Sequence, residues 1–255
     1  MSKKRARDEG REEREMRAKH PARTKVNKEL LDRFAPKTPG QVEYIKLVES
    51  HPITLVIGPA GTGKTFLAVV QGIKELTSGK YSKLVLTRPA IEAAGEKLGA
   101  LPGNEQEKVF PYLRPLYDSL EKILGRMEVE RLVNLGIIEI IPMAYMRGLS
   151  LEGSFIICDE SQNASTEQFK MLLTRLGKYS KLVATGDLEQ SDIDRNSKRS
   201  GLEDAVLRFA EEQEIAIAHL GMADIQRHAL VCRIIKGYKV RLPGDIRYES
   251  LYKDE

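Results

Sequence analysis

The sequence predicts an α/β fold, a mostly parallel β-sheet with helices on both faces. Two observations predict it. Six short runs of consecutive apolar residues, at 53–57, 84–87, 137–141, 155–158, 182–185 and 215–219, read as strands buried on both sides. Helical periodicity fills the gaps between them, at 41–49, 64–77, 112–124, 128–135, 166–176, 201–210 and 224–235. Strand–helix alternation of this kind builds a parallel sheet, because each crossover returns the chain to the same edge.

The chain has 255 residues, room for one such domain with short additions. Its charge divides it. Up to Pro36 there are twelve Lys/Arg against seven Asp/Glu, and the remaining chain carries 29 against 30. Residues 1–36 therefore read as a charged basic tail, disordered or transiently helical, since the first 25 residues offer almost no large aliphatic side chain to bury. A core over 37–238 and a second tail over 239–255, with Pro243 and Gly244, complete the expected organisation. No apolar run approaches the ~20 residues that span a bilayer, and the charged N-terminus has no apolar signal region. Cys158 and Cys232 have no metal-ligand spacing and read as small buried residues. The expected setting is the reducing cytoplasm, with no membrane partner.

The first strand runs into Gly58-Pro59-Ala60-Gly61-Thr62-Gly63-Lys64-Thr65, which opens an amphipathic helix. Strand, glycine-rich loop and helix in that order form a phosphate-binding P-loop. Gly58, Gly61 and Gly63 let successive backbone N–H groups face phosphates, and the helix N-terminus adds its dipole. Lys64 is placed to reach the β- and γ-phosphates of ATP, and the Thr65 hydroxyl to ligate Mg²⁺.

About ninety residues later, Phe155-Ile156-Ile157-Cys158 ends in Asp159-Glu160. Asp159 is the expected second Mg²⁺ ligand, and Glu160 the base that polarises the attacking water. That second carboxylate separates the chain from simple kinases. The pair is expected beside the first strand. A third run, Leu182-Val183-Ala184-Thr185, leads into the polar cluster Gly186-Asp187-Leu188-Glu189-Gln190, which resembles motif III of superfamily 1 helicases; that resemblance makes Asp187 and Gln190 candidates for contacting the nucleotide.

Further blocks carry a family resemblance: Thr87-Arg88-Pro89-Ala90-Ile91-Glu92-Ala93-Ala94-Gly95, Pro111-Tyr112-Leu113-Arg114-Pro115, Pro142-Met143-Ala144-Tyr145-Met146-Arg147-Gly148, Asp159-Glu160-Ser161-Gln162-Asn163 and Arg227-His228-Ala229-Leu230-Val231. Together they resemble the PhoH family of phosphate-starvation-inducible ATPases, over about 38–238. The resemblance implies a RecA-like P-loop ATPase core related to superfamily 1 helicases, with a role in RNA metabolism. It also implies that Gln190 contacts the γ-phosphate. Gln41 matches a family glutamine that reads the adenine edge; an exposed polar position on a helix is the plainer alternative. Ser161, Ser191 and Ala229 depart from the family pattern.

ATPases of this kind gain ~10³–10⁵ in rate from an arginine at the transferring phosphate. Superfamily 1 helicases place it on a second core, for which this chain is too short. The expectation is a homo-oligomer, a hexameric ring, that supplies Arg227 from a neighbour, with Arg195 the second candidate. His228 reads as a packed or half-exposed side chain. Arg88, the loop 92–99, Tyr112, Tyr117, Tyr145 and Arg147 are candidate contacts to single-stranded RNA, with DNA less favoured, although tyrosines at helical spacing also suit a core. Two functions stand: an ATPase coupled to RNA binding or remodelling, or an ATP-dependent switch that recruits a protein partner.

Overall fold

In the computed structural model, residue 26 and residues 28–89, 105–190 and 199–239 are described. Of the expected tails, 1–36 and 239–255, residues 1–25 and 240–255 lie outside them, as do the loop 92–99 and Arg195. Six strands form one sheet: β1 Ile53–Ile57, β2 Lys83–Arg88, β3 Ile138–Pro142, β4 Ser154–Cys158, β5 Lys181–Gly186 and β6 Ile215–His219. Their spatial order is β3-β2-β4-β5-β1-β6, and every pairing is parallel. The helices are α1 Lys28–Asp32, α2 Pro39–Ser50, α3 Lys64–Thr77, α4 Glu105–Leu124, α5 Arg126–Asn134, α6 Thr166–Leu173, α7 Gly201–Arg208 and α8 Ala229–Lys239.

Alternate residues of each strand feed two separate cores, as the pleat demands. Val56, Leu84, Leu86, Phe155, Ile157 and Val183 face a layer of α2, α3, α4 and α5. Leu55, Val85, Ile156, Cys158, Leu182 and Ala184 face α6, α7 and the turn Met143–Met146. Strand β4 is buried along its whole length, which is why its sequence is a continuous apolar run and not an alternating one. Among the described residues, no helix is long and apolar enough to cross a membrane.

Several expectations need correction. The folded unit reaches back before Pro36: Leu31 of α1 is 5% exposed within the core, and Phe34 meets Phe66 edge-on at 5.4 Å. Helix α4 starts seven residues before the expected position and contains Pro111 and Pro115. Helix α6 stops at Leu173, because Leu176 is drawn into a bridge with Leu151. The stretch 224–235 is not one helix: Asp224 ends a short 3₁₀ turn, and α8 begins at Ala229. Strand β4 is not beside β1, since β5 lies between them.

Helix α2 is tied to the sheet by a residue that drew no attention in the sequence. Lys181, 4% exposed at the start of β5, donates its ammonium to the carbonyls of Val48, Glu49 and His51. These are orphan acceptors at the C-terminal end of a helix, where a cation also meets the dipole favourably. Burial draws the Lys181 pKa down to about 8, yet the carbonyls left behind by an apolar replacement would have no donor. Lys181→Met is predicted to destabilise the fold by about 1–3 kcal/mol in urea unfolding, with far-UV circular dichroism unchanged before the transition.

Candidate functional site

The carboxyl ends of β1, β4 and β5 converge on a cleft of about 360 Å³. Ala60, Gly61, Gly63, Lys64 and Thr65 form one wall; Asp159, Glu160, Gly186, Asp187 and Gln190 form the other. Arg88 and Arg227 close it at the sides. Thus residues singled out in separate motifs of the sequence meet in one place. Gly58, Pro59 and Thr62 stand behind them as backbone: the Pro59 carbonyl accepts from the Thr62 hydroxyl at 3.0 Å, and Gly58 N–H donates to the Gly186 carbonyl at 3.2 Å.

The loop needs its glycines for two different reasons. Gly61 and Gly63 have φ of 86° and 83°, which side-chain-bearing residues adopt at a cost. At Gly58 a Cβ would lie 2.5 Å from the Leu220 carbonyl oxygen, so no larger residue fits. The loop is also held from outside. Gln41 Nε2 donates to the Thr62 carbonyl at 2.9 Å, and Tyr44 OH donates to the Lys64 carbonyl at 3.0 Å. Gln226 N–H donates to the Gly61 carbonyl at 2.9 Å.

Gln41 is therefore not an exposed helix residue: it is 3% exposed, and its Oε1 accepts from Lys37 N–H at 2.8 Å. With both ends of its carboxamide on backbone partners, it supports the loop. Asp224, which sequence reasoning missed, joins the same brace. It accepts from the Thr38 hydroxyl at 2.5 Å and from Gly221 N–H at 2.8 Å.

At the heart of the cleft, the Thr65 hydroxyl donates to Asp159 Oδ1 at 2.5 Å. Thr185 on β5, also missed, donates to the same oxygen at 2.9 Å. Its place at the last apolar strand before Gly186-Asp187 was the available signal. Lys64 is 9% exposed and folds back to donate to the carbonyls of Gly58 and Pro59, at 2.5 and 3.0 Å. Burial lowers its pKa, against the opposing pull of Asp187, Glu160 and Asp159. A hydroxyl, one buried carboxylate and a lysine around a glycine loop form a donor set suited to a Mg²⁺-bound polyphosphate. Among the described residues, no cluster of three or more His, Cys, Asp or Glu offers an all-protein metal cage.

Glu160 and Gln190 also line this space, and Gln190 N–H donates to the Asp187 carbonyl at 3.0 Å. Arg227 lies across the P-loop of its own chain, where a Cβ on Gly61 would approach its Nε to 2.7 Å. His228 is exposed, with Nδ1 accepting from Leu230 N–H at 3.2 Å. Cys158 is fully buried and its thiol is pushed up to about 12 by burial, whereas Cys232 is only half-buried. Leu230 and Ile234 on α8 are about half exposed, so that helix is less buried than its apolar sequence predicts. Tyr117 packs against the core, while Tyr145 and Arg147 are exposed beyond β3.

Burial, then the charge of Glu160, raise the Asp159 carboxyl above its ordinary 3.8, although hydrogen bonds from Thr65 and Thr185 oppose them. In the acid window above that value the native state binds more protons than the unfolded chain, so stability falls as pH rises through it. At neutral pH the Asp159 charge is a net cost of the ligand-free fold. Asp159→Asn keeps an acceptor for both threonines and removes the charge. It should raise the thermal midpoint of the ligand-free protein by a few degrees, measured by calorimetry at neutral pH.

A protein-family model described as PhoH-like protein matches residues 33–239. The chain is 50% identical over 202 residues to a PhoH-like protein of Bacillus subtilis, covering 79% of this chain and 63% of that one. It is 48% identical over 203 residues to one from Synechocystis, with 80% and 61% covered. To Protein PhoH of Escherichia coli it is 38% identical over 200 residues, with 78% and 56% covered. The chain thus spans roughly three-fifths of the length of these relatives. Among solved structures, similarity extends to a Pif1 helicase from Candida albicans at 16% identity, TM-score 0.36, with 72% of this chain and 40% of that one covered. At that score the likeness carries no weight for function. The motifs, the all-parallel sheet and the family match agree: this chain is a P-loop protein that belongs to the PhoH-like family.

Proposed function

We propose that this chain binds ATP with Mg²⁺ in the cleft, hydrolyses the γ-phosphate, and uses that turnover in binding or remodelling RNA. One observation supports the reading most. The Thr65 hydroxyl of the P-loop helix meets the Asp159 carboxylate across the end of β5, with Glu160 beside them in the same cleft. In this reading the P-loop N–H groups hold the phosphates, and Lys64 exchanges the Gly58 and Pro59 carbonyls for phosphate oxygens. Thr65 and Asp159 would hold Mg²⁺, and the ion would supply charge neutralisation to the phosphates. Glu160 orients and deprotonates the attacking water, Asp187 and Gln190 follow the γ-phosphate, and Arg227 adds positive charge from the P-loop side. Gln41 acts on the shape of the loop through the Thr62 carbonyl.

The RNA side of the proposal is supported by placement. Tyr145 is 53% exposed, and Arg147 and Leu149 are exposed with it, in the segment that follows β3. That strand is in register with β2, Arg88 pairing with Pro142, so an aromatic ring and a cation stand at the same edge of the sheet as the cleft. Exposed rings with neighbouring cations suit stacking and phosphate contact with a single strand.

Two outcomes are expected. Lys64→Ala should lose nucleotide affinity and turnover together, whereas Glu160→Gln should keep affinity and lose about 10²–10⁴ in kcat, measured as phosphate release. Tyr145→Ala combined with Arg147→Ala should weaken binding of a fluorescent single-stranded RNA about tenfold or more, by anisotropy at fixed salt. Turnover that no polynucleotide alters would favour the switch that recruits a protein partner.

A further inference from the structure

The cleft contains an arginine that the reaction scheme above does not use. Arg88 closes β2, and its side chain is 18% exposed. Its Nη2 lies 3.1 Å from Glu160 Oε1, and its Nη1 donates to the Tyr112 carbonyl of α4 at 3.2 Å. On the other side, Gln162 Nε2 donates to Glu160 Oε2 at 2.6 Å, and Gln162 Oε1 accepts from Asp187 N–H at 3.1 Å. Both carboxylate oxygens of Glu160 are therefore held, one from β2 and one from the turn after β4.

This bracket has a physical purpose. Glu160 leaves β4 with φ 51° and ψ 38°, a left-handed backbone that costs a residue with a side chain about 1–3 kcal/mol. Its side chain is one-third exposed, so packing alone does not define its rotamer. A carboxylate has about four acceptor sites, and the bracket uses two, leaving the others for a water molecule. Arginine suits the task because its planar fork can serve a carboxylate with one nitrogen and a backbone carbonyl with another.

We propose that Arg88 is a positioning residue: it holds the Glu160 carboxylate in place for the attacking water, with α4 as its anchor. This rests on the reading of Glu160 as the group that activates water. The competing role is direct contact with phosphate, since Arg88 borders the cleft. The two roles differ in what they do to kcat, to KM and to the effect of losing Glu160.

The test is steady-state phosphate release from ATP with Mg²⁺ by the full chain, for wild type, Arg88→Met, Arg88→Lys, Glu160→Gln and Arg88→Met/Glu160→Gln. Positioning errors of about 1 Å cost about 10²-fold. Arg88→Met should accordingly lose at least tenfold in kcat with KM within twofold of wild type. Arg88→Lys, which keeps the charge but not the fork, should retain an intermediate kcat. In the Glu160→Gln background, Arg88→Met should cost no more than twofold further. Losses that multiply in the double variant, a KM that rises with the loss of kcat, or an unchanged kcat would each overturn the proposal. If Arg88→Met does not fold by circular dichroism, Arg88→Lys with and without Glu160→Gln completes the same cycle. Wild-type turnover by Glu160→Gln alone would remove the reading of Glu160 itself, a separate failure.

Discussion

Everything at the cleft depends on one shared acceptor, Asp159 Oδ1, which receives hydrogen bonds from Thr65 on α3 and Thr185 on β5. The carboxylate extends β4 by one residue, since Asp159 N–H still donates to the Thr87 carbonyl at 2.9 Å. β5 separates β4 from β1, and its final threonine fills the gap between the two functional strand ends. The sheet order thus decides which side chains can meet. A parallel sheet brings all carboxyl ends to one edge, and ligands in open α/β sheets bind there. The buried charge that results is costly to the ligand-free fold, as expected where function rather than stability selects the residue.

The P-loop depends on distant chain. Gln41 and Tyr44 of α2 and Gln226 beyond β6 all bond its backbone, so its shape is set by segments on either side in sequence. Asp224 fastens two of these segments together through Thr38 and Gly221. Arg227 follows directly from that brace and lies over Gly61. The shape of the P-loop and the position of Arg227 are linked through a few hydrogen bonds within a single chain.

Much of this was legible in the residues. Strands fell within one residue of their expected ends because burial on both faces requires uninterrupted apolar runs. The P-loop and acid pair were legible because their chemistry tolerates few residue types. Less legible were features decided by tertiary partners. The helix was expected from Tyr112, yet α4 begins at Glu105 and runs through Pro111. Gln41 looked like a surface or base-reading residue, because nothing local reveals that a carbonyl twenty-one positions away will take its amide. Lys181 drew no attention, because only the fold places three carbonyls from the end of α2 around it. Arg227 was expected from a neighbour on grounds of chain length alone, and nothing local reveals that the chain beyond β6 lays it over its own P-loop.

The central claim is that Thr65 and Asp159 form the metal-binding half of a nucleotide site. Equilibrium titration of a slowly hydrolysed ATP analogue, with and without Mg²⁺, into wild type and Thr65→Ala tests it directly. The account predicts at least tenfold weaker binding to wild type when Mg²⁺ is withheld, and loss of most of that metal dependence in Thr65→Ala. Equal affinity with and without Mg²⁺ in wild type, or an undiminished metal dependence in Thr65→Ala, would contradict it.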